Sequence, residues 1–189
     1  IDFSKYAPGT VLYLVNRMEQ EDPRKPRDDP LYPGIRMLRF EVGERTLDRS
    51  VIPAFLRELP PRAPNVGVKR REWEFERNNG QWAINDKFFN PERVDALLKQ
   101  GVPEIWTLDT GGGWAHPIHV HLEDFRILTI NGKPPPPEWA GRKDTVSLLP
   151  SYKVEILVRF RDFTGKYVMH CHHLAHEDHA MMIRFDVVP

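Results

Sequence analysis

The chain has 189 residues, of which 40% are hydrophobic and 29% are charged, and its formal net charge at pH 7 is zero. This composition is typical of a globular protein of one to one and a half domains, and zero net charge argues against nucleic acid or an anionic membrane as a partner. No apolar run approaches the roughly 18 residues that a membrane-spanning helix needs. The single cysteine excludes a disulfide within the chain and leaves the redox compartment, and therefore the localisation, open.

The first 43 residues predict two strands, Val11–Val15 and Arg36–Val42, joined by a loop rich in proline and charge at residues 19–33. Two strands do not form a stable sheet alone. The chain also opens on Ile1 rather than on methionine. We therefore expect residues 1–43 to be the C-terminal remnant of a preceding domain in a longer protein. The alternative is that these strands extend the main domain.

Residues 44–65 differ in composition from the segments on either side. Pro53, Pro60, Pro61 and Pro64 punctuate a stretch without strand alternation, apart from the apolar run Ile52–Leu59. Proline interrupts both strand ladders and helices. We predict a proline-rich linker between two domains, lying over a neighbouring surface.

Residues 66–189 show short strands separated by turn signals. The predicted strands are Arg71–Glu76, Gln81–Ile84, Glu104–Asp109, His119–Leu122, Phe125–Ile130, Val146–Leu149, Lys153–Phe160, Lys166–Cys171 and Met182–Val188. Asn78-Asn79-Gly80 predicts the turn of the first hairpin. Such a series of strands is typical of an antiparallel β-sandwich.

One short helix is predicted between the second and third of these strands. Asn90 is a suitable N-cap, Pro91 suits the first helical position, and Gly101 would end the helix. The apolar face of this helix would consist of Val94, Leu97 and Leu98.

All eight histidines lie in two short windows, His116, His119 and His121 in the first and His170, His172, His173, His176 and His179 in the second, which also holds Cys171. A domain that uses histidine for packing or solubility scatters it along the chain. Confinement to two windows indicates that the windows meet in space and bind a common ligand. Histidine is the commonest metal ligand in proteins, so a metal ion is the best candidate.

The strand that ends at Cys171 separates its side chains onto two faces, with Cys171 on one face and His170 and His172 on the other. These residues can serve two centres back to back, joined through the backbone of one cysteine. His176 follows Cys171 by five residues and Met181 follows it by ten, enough chain to return to the cysteine. One thiolate, two imidazoles and a weak axial thioether form the ligand set of a blue-copper site.

The second imidazole of such a site would come from the first window. His119 and His121 are two residues apart and face the same way on a strand. His116 precedes Pro117, which disfavours the helical conformation before it and bends the start of the strand. His116 can therefore turn to a different centre from the other two.

Two alternatives compete for Cys171. A lone cysteine is often a buried packing residue, but here histidines flank it on both sides. Zinc also takes cysteine and histidine ligands. Zinc has no use for a methionine at the axial spacing or for the further histidines, so copper is favoured.

The two windows resemble the C-terminal signature of the multicopper oxidases. The resemblance rests on His116-Pro117-Ile118-His119-Val120-His121 and on His170-Cys171-His172 followed by His176 and Met181. The glycine-rich approach Gly111–Pro117, the sequence His176-Glu177-Asp178 and the pair Met181-Met182 are similar to bacterial spore-coat laccases and bilirubin oxidases within that family.

This resemblance implies an all-β, cupredoxin-like Greek-key β-sandwich for residues 66–189 and places residues 1–43 at the end of a middle cupredoxin domain. It implies copper as the cofactor, in type 1, type 2 and type 3 centres. The implied ligands are His116, Cys171 and His176 with axial Met181 for type 1, His119 for type 2, and His121, His170 and His172 for type 3. His173, His179 and Met182 have no role in the signature; we interpret the two histidines as supporting or surface residues and Met182 as a packing residue. Trp114 is interpreted as a packing residue, with electron transfer as the alternative.

The implied catalytic residues are Cys171, His176 and Glu177. A phenol, an aromatic amine or a bilirubin-like pigment would give single electrons at the solvent edge of His176, and dioxygen would be reduced to water at a trinuclear cluster. Glu177 would relay the protons; the alternative is that it forms a solvated acidic pair with Asp178. Bilirubin oxidation, cuprous-ion oxidation, nitrite reduction and electron transfer without catalysis remain alternative functions.

The resemblance also implies a limit. A trinuclear cluster of this family uses eight histidines, and only His119, His121, His170 and His172 are available here. The others would come from N-terminal cupredoxin domains outside this chain. We expect the isolated chain to lack oxidase activity and to expose a face that favours self-association.

Overall fold

The computed structural model describes residues 1–19, 29–55, 57–59 and 67–189. The chain divides into two compact units, Ile1–Glu58 and Leu59–Pro189. Parts of the predicted loop 19–33 and of the predicted linker 44–65 lie outside the described residues. The assignments of residues 1–43 to a preceding domain and of 44–65 to a linker therefore stay predictions.

The first unit contains both predicted strands, β1 (Val11–Asn16) and β2 (Ile35–Glu41). They pair antiparallel, with Val11 opposite Glu41. Within the described ranges this pair is a two-stranded sheet of its own, and neither strand joins the sheets of the second unit.

The second unit is a β-sandwich. Its strands are β3 (Lys69–Asn78), β4 (Gln81–Ile84), β5 (Ala96–Lys99), β6 (Glu104–Asp109), β7 (His116–Val120), β8 (Phe125–Ile130), β9 (Arg142–Lys143), β10 (Thr145–Leu148), β11 (Lys153–Val158), β12 (Gly165–Cys171) and β13 (Met182–Val188). One sheet has the order β10-β7-β12-β13-β5, and the other has the order β4-β3-β6-β11-β8-β9. The expected all-β fold is confirmed.

Side-chain alternation explains how the two sheets form one core. On β3, Trp73 and Phe75 are buried, whereas Glu72 and Glu74 beside them are exposed. The rings of Trp106, Phe160 and Phe185 pack together at the centre, with centroid distances of 4.9–6.0 Å. Each buried aromatic ring removes a large apolar area from water, so these three rings contribute strongly to the hydrophobic stabilisation of the sandwich.

The predicted hairpin turn between β3 and β4 is present. Asn79 and Gly80 have φ values of 47° and 81°. Left-handed backbone at both central positions defines a type I′ turn, whose twist matches that of the flanking strands. The turn places Trp82 of β4 opposite Arg77 of β3.

The predicted helix after Asn90 is wrong. The Asn90 side chain accepts a hydrogen bond from the backbone N–H of Glu92 at 2.9 Å, but only a turn follows. Residues Ala96–Lys99 then form β5, which pairs parallel with β13. A short apolar run fits strand or helix equally, and the backbone groups along β13 decided in favour of the strand. Leu97, assigned to the helix's buried face, is 58% exposed.

Two further details differ from the sequence patterns. The strand predicted at His119–Leu122 begins at His116 and ends at Val120, and Leu122 beyond it has a left-handed φ of 81°. A five-residue helix, α1 (Leu174–Asp178), follows β12 and was not predicted. Among the described residues no helix is long and apolar enough to span a membrane.

Candidate metal centre

Strands β7 and β12 are neighbours, and their pairing brings the two histidine windows together. His170 lies opposite His119, and Cys171 lies opposite Ile118. Because successive side chains point to opposite faces, Met169 and Cys171 enter the sandwich core and are fully buried, whereas His170 points to the other side.

Three donor atoms converge on the core side of β12. The Nδ1 atoms of His116 and His176 are 3.1 Å apart, and the Cys171 Sγ lies 3.6 Å from each. A point roughly 2.0 Å from all three atoms exists inside this triangle, a separation close to ordinary metal–ligand bonds. We call these three residues the buried triad. They could hold a metal ion.

Helix α1 and the turn after it return the chain to Cys171. The His176 N–H donates to the His173 carbonyl at 2.9 Å, and the Met181 N–H donates to the His176 carbonyl at 3.0 Å. The Cys171 N–H donates to the Met181 carbonyl at 3.1 Å. Met181 is fully buried in the same core cluster as Cys171. This loop therefore returns both His176 and Met181 to the cysteine.

Burial sets the protonation of the triad. It lowers the pKa of His116 to about 4 and, together with the neighbouring histidines, lowers the pKa of His176 to about 3. Burial also raises the pKa of the Cys171 thiol to about 12. At neutral pH both imidazoles are neutral and can donate lone pairs, whereas the thiol needs a bound cation to release its proton. A buried set of one sulfur and two imidazoles fits copper, which favours soft sulfur and imidazole ligands.

His176 is buried, with only 3% of the residue exposed, so its expected solvent edge is at most a small part of the ring and stays a prediction. The Trp82 ring stacks on it with a centroid distance of 3.7 Å, and the His173 ring stacks on it at 4.1 Å. Trp114 approaches edge-on at 6.2 Å. Trp82 is the site residue that sequence reasoning missed, and its only local signal is a bulky aromatic two residues after an Asn-Gly turn. His173 is a packing partner of the triad, whereas His179 is exposed.

Four imidazoles gather on the opposite side of β12, at His119, His121, His170 and His172. We call them the imidazole cluster. Neighbouring ring centroids are 4.8–5.7 Å apart, and the Nε2 atoms of His121 and His170 are 3.1 Å apart. His170 is buried, His119 and His121 are half-buried, and His172 is exposed. The cluster is thus more open than the triad.

Backbone carbonyls orient two of these rings. The Nδ1 of His170 lies 3.1 Å from the Cys171 carbonyl, and the Nδ1 of His119 lies 3.0 Å from the Asp144 carbonyl. A carbonyl only accepts, so each Nδ1 carries the proton and each Nε2 keeps its lone pair. This is the usual way in which a protein prepares histidine as a metal ligand.

Glu177 lies beside the cluster, with its Oε2 3.5 Å from the His170 Nδ1. Its side chain is partly exposed, at 29%. Glu177 therefore lies within reach of both the cluster and solvent, and its proton-relay role stays a prediction. Its neighbour Asp178 is exposed.

The turn after His121 is held by ion pairs. The Glu123 carboxylate accepts hydrogen bonds from Arg142 at 2.5 Å and from Arg161 at 2.6 Å, and its side chain is only 9% exposed. Burial favours the protonated acid, but the two guanidinium groups outweigh it and lower the pKa of Glu123. We call Glu123, Arg142 and Arg161 the Glu123 clamp. Its ion pairs hold the turn that follows His121, directly after the end of β7.

The β-sandwich and the buried triad together define a copper-binding protein of the cupredoxin type. Comparison with known proteins narrows the class. Residues 61–189 match the multicopper oxidase family. The chain belongs to this family, whose members are copper-dependent oxidoreductases.

Individual relatives support the same family assignment. The chain is 37% identical over 160 residues to bilirubin oxidase from Albifimbria verrucaria, covering 80% of the chain and 28% of that protein. It is 36% identical over 210 residues to laccase from Bacillus subtilis, covering 99% of the chain and 40% of that protein. The crystal structure of multi-copper oxidase from Pediococcus acidilactici superposes with a TM-score of 0.78 at 25% identity, covering 100% of the chain and 37% of that structure. The expected cupredoxin-like fold is confirmed, and the chain spans 28–40% of the length of these relatives.

Proposed function

We propose that the chain is the C-terminal part of a laccase-like multicopper oxidase. The whole protein would take single electrons from a phenol or an aromatic amine and would reduce dioxygen to water. The main support for this function is that two adjacent residues of β12, His170 and Cys171, belong to two different histidine-containing sites on opposite faces of the strand. The Cys171 backbone therefore joins the sites covalently.

Each site has a proposed role for its residues. His116, Cys171 and His176 would bind the type 1 copper, with Met181 as the axial ligand. His119 would bind the type 2 copper, and His121, His170 and His172 would bind the type 3 pair. When bound, copper supplies one-electron redox chemistry at the triad and dioxygen chemistry at the cluster. The chain's own contribution at the triad is a dry pocket with neutral imidazoles, since burial keeps both histidines unprotonated at neutral pH.

Glu177 is proposed to move protons. Reduction of dioxygen to water consumes four protons, and these must enter a partly buried site. Glu177 offers one oxygen 3.5 Å from the His170 ring while remaining partly exposed. A carboxylate in that place can take protons from water and release them beside the cluster.

The cluster is proposed to be completed by another part of the protein. Its exposed member, His172, is followed closely by Leu174, which is 72% exposed. An exposed imidazole and a nearby exposed leucine fit a face that N-terminal cupredoxin domains cover in the whole protein. Without those domains the same face would favour self-association.

An electron-transfer protein without catalysis is the main competing function. Such a protein needs the buried triad alone, so a second group of four imidazoles, two of them oriented by backbone carbonyls, would have no purpose. Bilirubin and cuprous ion remain possible reductants in place of a phenol, since a bilirubin oxidase is among the relatives.

The decisive experiment is oxygen uptake with a phenolic substrate. We expect no uptake by the purified copper-loaded chain and restored uptake when the N-terminal part of the protein is added. A chain carrying His172→Ala should fail in the same mixture while keeping the absorption of the triad. Robust uptake by the purified chain alone, with water as the product, would show that two copies of this chain build the cluster between them. Failure of the mixture despite a blue, copper-loaded chain would favour the electron-transfer alternative.

A further inference from the structure

His176 is enclosed by aromatic rings. Trp82 stacks on it with an interplanar angle of 26°, and His173 stacks on it with an angle of 21°. Two rings stacked this closely on one imidazole must occupy its two opposite faces. Trp114 meets it edge-on, and the Nδ1 edge faces His116 and Cys171. The ring is thus held by contacts on both faces and is directed by its edge into the triad.

Trp82 is itself firmly placed. The type I′ turn at Asn79 and Gly80 sets the register of β4, and the Trp82 side chain is almost buried at 7% exposure. The Arg77 guanidinium lies 5.4 Å from its ring centroid, and the Trp114 ring meets it at 4.8 Å in an edge-to-face arrangement. Arginine near a tryptophan face and edge-to-face aromatic pairs are both favourable geometries.

His176 needs such support because its own segment is short. It lies on a helix of only five residues, whose N-cap residue His173 makes no side-chain capping hydrogen bond. Cys171 and His116, in contrast, belong to strands hydrogen-bonded within one sheet. Of the three members of the triad, His176 is therefore the one whose position depends most on packing from a different sheet, that of Trp82.

We propose that Trp82 is a positioning residue of the triad. It holds the His176 ring plane with Nδ1 directed at Cys171 Sγ, and it keeps water away from that imidazole. The copper-binding role of the triad rests on the proposed function. The packing role does not, because it concerns the metal-free geometry.

The test compares Trp82→Leu with Trp82→Phe and with Trp73→Leu in the same chain. Trp73 is the matched control, because it is a similarly buried tryptophan, at 5% exposure, that packs on Trp106. The first measurement is the NMR chemical shift of the His176 ring protons without metal. The second is copper affinity by competition with a chelator. The third is the reduction potential of the bound copper.

We expect Trp82→Leu to remove the ring-current shift of His176 and to weaken copper binding by about tenfold, the usual cost of losing a residue that orients a metal ligand. Water reaching the site would favour the more highly charged oxidised metal, so the reduction potential should fall. A tenfold change in the ratio of the affinities for the oxidised and reduced metal corresponds to about 59 mV. Trp82→Phe should retain most of both properties. Trp73→Leu should lower the stability while leaving the His176 shift and the potential unchanged.

An unchanged His176 shift and unchanged copper affinity in Trp82→Leu would overturn the proposal, as would equal changes in Trp73→Leu. If Trp82→Leu does not fold, Trp82→Met, which keeps a long apolar side chain without a ring, is judged by the same outcomes. A wild-type chain that binds no copper would overturn the proposed function and the copper part of this inference. The metal-free NMR shift would then still decide whether Trp82 positions His176.

Discussion

The buried triad and the imidazole cluster both use histidine and lie on opposite faces of one strand, yet they differ in how far they are enclosed. His116, Cys171 and His176 are at most 3% exposed and are covered by aromatic rings. The cluster includes one exposed imidazole, His172, and two half-buried ones. A single sandwich can enclose a site in its core, but a site on the outer face of a sheet needs further protein to cover it.

The enclosure changes the chemistry of the histidines. Burial is the first cause of the lowered pKa of both triad histidines, to about 4 and about 3. In the cluster, burial and then the neighbouring histidines lower the pKa of His121, while Glu177 opposes the shift. The cluster is thus tuned partly by interactions between its own members and a carboxylate that reaches solvent.

The largest expected effect separates the two sites by colour. Copper-loaded chain should be blue because of charge transfer from the Cys171 thiolate, and Cys171→Ser should abolish the colour completely. His121→Ala, on the other face, should leave the colour in place. Absorption spectroscopy with copper quantification measures both. Persistence of the blue band in Cys171→Ser would disprove the type 1 assignment.

The second prediction concerns acid stability without metal. The pKa values of His116 and His176 in the folded chain lie below the ordinary value of about 6.5. At pH values between the folded and the ordinary pKa, the unfolded chain therefore binds more protons than the folded chain. Stability is therefore complete above about pH 6.5 and is lost as the pH falls towards the folded values. Between pH 7 and pH 5 we expect a loss of about 4 kcal/mol in the free energy of unfolding, measured by urea titration.

The control for this loss is His121→Gln in the cluster. The pKa of His121 is also lowered, by burial and then by the neighbouring histidines, but the residue is only half-buried, so the variant should keep most of the pH dependence of the wild-type chain. If His121→Gln removed most of the pH dependence, the acid sensitivity would belong to the cluster rather than to the triad.

The third prediction concerns the axial position of the triad. Met181→Leu should raise the reduction potential of the bound copper, because loss of a weak donor destabilises the oxidised ion. A tenfold change in relative affinity for the two oxidation states corresponds to about 59 mV. Met182→Leu, which changes the half-buried neighbour, should leave the potential unchanged. The opposite pattern in redox titration would assign the axial position to Met182.

The smallest effect concerns the clamp beside the cluster. Glu123→Gln removes the charge that holds Arg142 and Arg161, and we expect a loss of about 1–2 kcal/mol in the free energy of unfolding. The colour of the copper-loaded triad should not change, because the clamp lies at the turn after His121. Glu138→Gln, at an exposed carboxylate, is the control and should have no effect on unfolding. Loss of the blue colour in Glu123→Gln would show that a change beside the imidazole cluster alters the geometry of the buried triad.

Much of the fold could be predicted from residues alone. Runs of strand-forming residues between turn signals located β6, β8, β11 and β12 within two residues. The run containing Leu97 and Leu98 was misassigned, because four residues do not distinguish a strand from a helical turn. These residues form a strand because they pair with β13, which lies more than eighty residues further along the chain.

The candidate metal centre could likewise be predicted only in part from the sequence. By itself, the sequence determined which side chains could meet, since strand alternation places Cys171 and His170 on opposite faces wherever β12 lies. Only the tertiary structure decided that His176 is buried, because its cover comes from Trp82, 94 positions earlier in the chain and in a different sheet. Exposure and pKa depend on everything that surrounds a group in space, whereas local spacing records only the geometry of one segment.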